Sequence, residues 1–174
     1  VIPLVYALLC DKSGQTYYKL FSRVRDALAE LNRAFNPANI MTDFESGVIE
    51  KIPIVFPSAI HLGCHFHFAQ SIWRKVQEFG LVTDYLGKPA IRTFVQQCIA
   101  LAFIPSHEVT SVFEKMKNAL KAGNEDILRC FIAYFRSTWL DGLFSITMWN
   151  KYGMDHRHRT NNAMEGWHSG LNKC

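Results

Sequence analysis

Strand-like and helix-like patterns are unevenly distributed along this chain of 174 residues. Short runs rich in Val, Ile and Leu, typical of buried strands, occur at residues 1–10, 39–44 and 58–64. Beyond Gly87 strand patterns nearly vanish, and apolar residues recur at helical spacing. Because a helical pattern separates the first two of these strands, the sequence predicts an α/β core in which the strands at 1–10 and 39–44 form a parallel pair, followed by a helical layer.

Helices are predicted wherever apolar residues recur every three or four positions. The first predicted helix runs from Tyr17 to Phe35, with Thr16 as N-cap and Asn36-Pro37 as its end. A weak helix over 45–52 is expected to stop at Pro53. Four longer helices are expected further along the chain: Phe66–Phe79, Pro89–Phe103, Ser106–Ala122 and Glu125–Leu140.

Composition narrows the class of protein. A hydrophobic content of 49% supports a folded core, and the absence of a long apolar run predicts a soluble domain without a membrane partner. The net charge of +4 permits a nucleic-acid partner but does not establish one. Five scattered cysteines disfavour a disulfide-stapled secreted module and favour an intracellular compartment. The phosphate-binding glycine loops of nucleotide-dependent enzymes do not occur in the sequence.

Two carboxylates are candidates for chemistry. Asp43 follows the strand at 39–44, at the edge where ligands gather in α/β sheets, although it could instead cap the helix that begins near Glu45. Glu165 lies in a segment dense in polar and basic residues, although it could be the N3 residue of a capping box started by Asn162. Carboxylates that converge from distant positions can hold Mg²⁺ ions for phosphodiester chemistry.

Cysteine and histidine residues form a second candidate cluster. Cys64 and His67 make a C-x-x-H unit directly after a predicted strand, and we expect a buried Cys64 with a histidine close to an active site. A structural zinc site needs four ligands, so zinc is disfavoured unless His156, His158 or His168 completes the site. Cys98 and Cys130, by contrast, are expected to be buried core thiols.

Several motifs together resemble the transposase domain of Mutator-like elements (MULE), a family of cut-and-paste DNA transposases. They occur through nearly the whole chain: Pro3 to Leu9, Thr16-Tyr17 with Leu20-Phe21, Thr42-Asp43-Phe44-Glu45, Phe56-Pro57, Gly63 to His67 with Gln70, Ala100 to Pro105, Trp149-Asn150, and Arg159 to Asn162 with Glu165.

The resemblance implies an RNase H-like α/β fold with an all-helical insertion before the last catalytic helix. It also implies an Asp-Asp-Glu (DDE) triad that binds two Mg²⁺ or Mn²⁺ ions. Asp43 matches the second aspartate and Glu165 matches the glutamate, with Glu45 and Glu125 as weaker rivals for the latter. Cys64 and His67 match the C-x-x-H signature thought to support the active site.

The first aspartate of such a triad is expected upstream of Val1, because Asp11 lies in a turn-like segment after the first predicted strand. The sequence therefore reads as an N-terminally truncated domain with an incomplete metal site, inactive by itself. Three segments are predicted within it: residues 1–87 with the α/β part, 88–145 with the helical insertion, and 146–174 with the last catalytic helix.

The resemblance also implies partners and a location. Transposon ends and target DNA are the expected partners, the full-length parent could form a homo-oligomer, and the expected location is the nucleus. The expected DNA contacts all lie near the C-terminus: Arg157, Arg159, Asn161, Asn162, His168 and Lys173. Two alternatives stay open at this point: a domesticated or decayed module that binds DNA or protein without catalysis, and a zinc-stabilised structural domain.

Overall fold

The computed structural model describes residues 5–33 and 35–154, which fold as an α/β, mostly helical structure. The described residues form two compact units that divide after Cys64. The first unit contains α1 (Gly14–Glu30), β1 (Asn39–Thr42), α2 (Ser46–Val55) and β2 (Ile60–Gly63). The second contains α3 (His65–Glu78), α4 (Val82–Gly87), α5 (Pro89–Ala100), α6 (Val109–Asn118), α7 (Ala122–Phe135) and α8 (Ile146–Trp149).

A two-stranded parallel sheet organises the first unit. β1 and β2 pair from Asn39↔Ile60 to Thr42↔Gly63, and α2 connects them as a βαβ crossover. The α/β character is thus confirmed, but the parallel pair forms between the strands predicted at 39–44 and 58–64 and not between those predicted at 1–10 and 39–44. The strand predicted over residues 1–10 is wrong for its described part. Residues 5–9 form no strand. Their apolar composition suits a sheet, but they make no ladder of hydrogen bonds with β1 or β2.

Both ends of α1 differ from the prediction. Ser13, rather than Thr16, is the N-cap, and its side chain accepts a hydrogen bond from the Thr16 amide. The helix ends at Glu30 because Asn32 adopts a positive φ of 54°. The amides of Asn32 and Arg33 then donate to carbonyls of the last turn, as in a Schellman motif. Side-chain periodicity alone does not reveal this backbone reversal.

Pro53 does not stop α2, which continues to Val55. A proline lacks the amide for one helical hydrogen bond, but the next turn still closes because the Phe56 amide donates to the Ile52 carbonyl at 2.8 Å. This extra turn adds Val55 and Phe56 to the core around Ile52, where α1 packs through Tyr17 and Phe21.

The two glycines near the start of the helices allow α1 and α2 to approach closely. A Cβ atom on Gly47 would lie 2.8 Å from the carbonyl oxygen of Lys12 and 3.0 Å from the amide nitrogen of Gly14. A side chain cannot fit at that distance. The start of α2 therefore lies directly against the loop that leads into α1.

The four helices predicted in the second unit are confirmed with different bounds: α3 and α7 begin earlier than predicted, and α5 and α6 are shorter. The short helices α4 and α8 were not predicted. Its core is aromatic: the Phe68 ring stacks on Trp149 at 4.8 Å and meets Trp139 edge-on. The indole of Trp149 donates to the Trp139 carbonyl at 2.9 Å. Beyond α7 the chain makes one π-helical turn, Arg136–Leu140, which is where the helix predicted to reach Leu140 changes its hydrogen bonding.

Cys98 and Cys130 have different environments. Cys98 is fully buried, as predicted, and burial raises the pKa of its thiol. Cys130 is exposed, so its predicted place in the core is wrong. The core-facing side of α7 is formed by Leu128, Phe131 and Phe135, and Cys130 lies outside that stripe.

Several predictions lie beyond the described residues or are not decided by them. The final helix expected after Asn162 falls outside the described part of the chain. The division into segments 1–87, 88–145 and 146–174 stays a prediction. None of the helices in ranges 5–33 and 35–154 combines the length and apolar composition needed to cross a membrane.

We expect the substitution Gly47→Ala to destabilise the first unit by about 1–3 kcal/mol, because the new methyl group must displace backbone atoms. Amide hydrogen exchange in α1 and α2 measures the corresponding free energy of opening. The control is Gly123→Ala in α7, where an added Cβ meets no atom within 4 Å. Equal exchange rates in α1 and α2 for both variants would contradict the close approach described here.

Candidate functional site

Asp43 lies directly after β1, at the carboxyl end of the parallel sheet, and is half-buried. Cys64 lies directly after β2 at the same edge, and its amide donates to the Thr42 carbonyl at 2.9 Å. Two residues that the sequence singled out, 21 positions apart by their numbering, thus stand side by side at the ends of paired strands. This is the edge at which open α/β sheets hold their ligands.

The alternative role of Asp43 as a helix cap is wrong. Glu45 is the N-cap residue of α2, and its side chain makes no capping hydrogen bond. The Glu45 carbonyl accepts hydrogen bonds from the amides of Val48 and Ile49, both at 3.1 Å. Asp43 therefore lies two residues before the N-cap and belongs to the segment that connects β1 to α2.

The carboxylate of Glu45 is held by two side chains from the start of α1. Lys12 Nζ donates to Oε1 at 2.6 Å, and the Tyr17 hydroxyl donates to Oε2 at 2.5 Å. Both carboxylate oxygens are thus engaged by the protein. These contacts join residues that lie 33 and 28 positions apart in the chain, and they depend on the close approach of α1 and α2.

The ionisable side chains of this cluster shift one another's pKa values. The Lys12 and Tyr17 hydrogen bonds lower the pKa of Glu45. Burial, reinforced by the Glu45 hydrogen bond, raises the pKa of Tyr17 to about 12. The hydrogen bond to Glu45 raises the pKa of Lys12, and the charge of Asp43 adds to the rise in both Lys12 and Tyr17. Asp43 therefore lies within electrostatic range of the cluster.

A second group of polar contacts lies on the strands themselves. The Thr42 hydroxyl donates to the backbone carbonyl of Asp43 at 3.0 Å, and His61 Nε2 lies 2.7 Å from the same hydroxyl. His61 is half-buried on β2, and burial lowers its pKa, so the neutral imidazole is favoured. These contacts reach the backbone of the candidate acid from the neighbouring strand.

Asp11 has a local task at the start of α1. Its Oδ1 accepts hydrogen bonds from the Ser13 amide at 2.8 Å and from the Thr16 hydroxyl at 2.7 Å. These bonds, the Thr16 hydroxyl first, lower the pKa of Asp11 to about 2. The residue thus organises the turn before the helix, which agrees with the expectation that it does not replace the first acid of a triad.

The two residues of the C-x-x-H sequence, Cys64 and His67, lie in different compact units of the fold. Cys64 is fully buried at the end of the first, and His67 is half-buried in α3 of the second.

Glu125, a weaker rival of Glu165, lies exposed in the first turn of α7. Among residues 5–33 and 35–154, no three or more His, Cys, Asp and Glu side chains form a group that could hold a metal ion.

The C-terminal part of the predicted site lies outside the described residues. This applies to the candidate acid Glu165 and to all the expected DNA contacts: Arg157, Arg159, Asn161, Asn162, His168 and Lys173.

Three residues of this edge escaped the sequence analysis. Tyr17 appeared there as the first residue of a predicted helix and in one of the family motifs, but not as a partner of Glu45. His61 was included only in the strand at 58–64, and Lys12 was not singled out. The alternation of side chains along β2 could have placed His61 on a given face. No local pattern in the sequence indicates that Lys12 and Tyr17 reach Glu45.

Residues 1–71 match the family model of the MULE transposase domain. The match confirms the resemblance inferred from the motifs for this part of the chain, which includes α1, the βαβ unit, Asp43, Cys64 and His67, and it supports a transposase-related function. Residues 72–174 lie outside the match. Neither a curated protein nor a solved structure matches the chain.

We expect Glu45→Gln to lower the free energy of unfolding at neutral pH, since it removes the charge that Lys12 contacts. The pKa of Glu45 is depressed in the folded state, so its contribution to stability is present above about pH 4.3 and is lost as the pH falls through the folded-state pKa. The difference between wild type and Glu45→Gln should therefore shrink in acid. Urea unfolding followed by circular dichroism between about pH 7 and about pH 3 measures it.

The matched control for this experiment is Glu50→Gln, which changes an exposed carboxylate 3.7 Å from Lys51 in the same helix. Such a surface pair contributes little. A difference between wild type and Glu45→Gln that does not vary with pH would contradict the role given to the Glu45 charge.

Proposed function

We propose that this chain forms part of a DDE-type catalytic domain that cleaves and transfers DNA strands with two divalent cations. The observation that carries the proposal is the position of Asp43. Within the segment that matches the MULE transposase domain, its carboxylate follows β1 at the carboxyl edge of a parallel sheet. The βαβ unit also supports an RNase H-like core as part of this proposal.

The oxygen donors at this edge suit Mg²⁺ or Mn²⁺. These hard cations bind carboxylate oxygens, and Asp43 supplies such a carboxylate at the end of the strand. Glu45 fits the role of a ligand less well, because Lys12 and Tyr17 already engage both of its oxygens. We therefore assign metal binding to Asp43 together with Glu165, and we assign to Glu45 the task of fixing the charges beside Asp43.

The candidate residues would have different roles in DNA cleavage. Bound cations would offset the negative charge that develops on a scissile phosphodiester. Asp43 would hold the cations from the sheet edge, while Arg157, Arg159 and Lys173 would neutralise neighbouring phosphates, aided by Asn161, Asn162 and His168. Buried Cys64 would support the strand end next to Asp43, with His67 as the second residue of the C-x-x-H unit. DNA as substrate implies a nuclear location.

The test compares nicking of supercoiled plasmid DNA by the full-length natural protein and by its Asp43→Asn variant, in Mg²⁺ and in Mn²⁺. We expect the variant to lose more than about 100-fold in rate, since even residues that merely support a metal ligand are worth about 10- to 100-fold. DNA affinity, measured by fluorescence anisotropy, should be retained.

The control variant is Asp26→Asn, which changes an exposed acid on α1 that pairs with its neighbour Arg25. It should nick at the wild-type rate. Equal nicking by wild type and Asp43→Asn would refute the assignment. DNA binding by the wild type without nicking in either metal would favour a binding module without catalysis.

A further inference from the structure

The Thr42 hydroxyl fixes the direction of a short chain of hydrogen bonds. A hydroxyl carries one hydrogen, and a carbonyl oxygen can only accept. Because the Asp43 carbonyl lies 3.0 Å from Thr42 Oγ1, that hydrogen is donated to Asp43. The 2.7 Å contact with His61 can be a hydrogen bond at the same time only if Thr42 Oγ1 is its acceptor and the hydrogen lies on His61 Nε2.

The surroundings of His61 agree with this direction. The residue lies in the middle of β2, where it pairs with Ile40 of β1. Burial lowers the pKa of His61 and so favours the neutral imidazole. A neutral imidazole carries one N–H, either on Nδ1 or on Nε2. A neutral ring with its hydrogen on Nε2 satisfies the contact with Thr42.

We propose that His61 is a positioning residue for Asp43: its Nε2–H donates to the Thr42 hydroxyl, which donates to the Asp43 carbonyl oxygen and so fixes the backbone at the end of β1. This inference rests on the proposed function of Asp43 as a metal ligand. In this arrangement β2 not only pairs with β1 but also orients the candidate acid Asp43 through His61.

The restraint acts at the point where the ladder of the sheet ends. At the end of the paired strands the Cys64 amide donates to the Thr42 carbonyl, so the Asp43 carbonyl lies one residue beyond this bond. On the other side, the Phe44 ring covers Gly63 so closely that a Cβ atom there would lie 2.2 Å from the ring. The backbone of Asp43 is thus held by Thr42 before it and by Phe44 after it.

The experiment uses paired variants of the full-length natural protein. Thr42→Val removes the hydroxyl at nearly constant shape, and Thr42→Ser keeps it. His61→Phe removes the donor, and His61→Gln keeps an N–H group. We expect Thr42→Val and His61→Phe to lower kcat for DNA nicking by about 10- to 100-fold without changing KM, and the two conservative variants to recover most of the activity.

A second measurement is independent of catalysis. The ¹⁵N chemical shifts of the His61 ring distinguish the two neutral tautomers, and we expect the Nε2–H form in the wild type and a mixture in Thr42→Val. Circular dichroism and urea unfolding verify that each variant is folded.

The outcomes separate this inference from the function on which it rests. A wild-type ring with its hydrogen on Nδ1 would overturn the inference. So would an unchanged kcat in Thr42→Val when Asp43→Asn abolishes nicking, and the proposed function would then stand. Nicking that is insensitive to Asp43→Asn would overturn the proposed function itself and this inference with it.

Discussion

The close approach of two helix starts is the constraint on which the first unit depends. Gly47 lies against the backbone of Lys12 and Gly14, at a distance that leaves no room for a side chain. Only this approach brings Lys12 and Tyr17 to the carboxylate of Glu45. The same contact holds α2 against α1, and α2 in turn connects the two strands whose ends carry Asp43 and Cys64.

Two acids two residues apart in the sequence acquire different environments. Glu45 is bound by a lysine and a tyrosine, and these bonds favour its ionised form. Asp43 lies at the strand end, where its backbone carbonyl is held by Thr42 and the ring of Phe44 covers the adjacent strand. The two neighbouring carboxylates thus differ in environment, and this difference underlies the proposal that Asp43 rather than Glu45 binds metal.

Periodicity predicted the elements well and their ends poorly. The half-buried apolar stripe of α1, from Tyr17 to Leu28, and the strand that begins at Asn39 are recovered, because side-chain spacing reports which face turns away from solvent. The helix ends depend instead on single backbone conformations, such as the positive φ of Asn32. The apolar segment 5–9 was predicted as a strand but forms none, because a strand exists only where a partner supplies its hydrogen bonds.

The sequence by itself determined the α/β order, the position of Asp43 at a strand end and the motifs that match a MULE transposase domain over residues 1–71. These are local properties, set by residues close together in the chain. Only the tertiary structure decided that Lys12 and Tyr17 bind Glu45, and that His61 reaches the residue before Asp43. The physical reason is that such contacts span 19 to 33 positions, so they arise only when separate elements pack against one another.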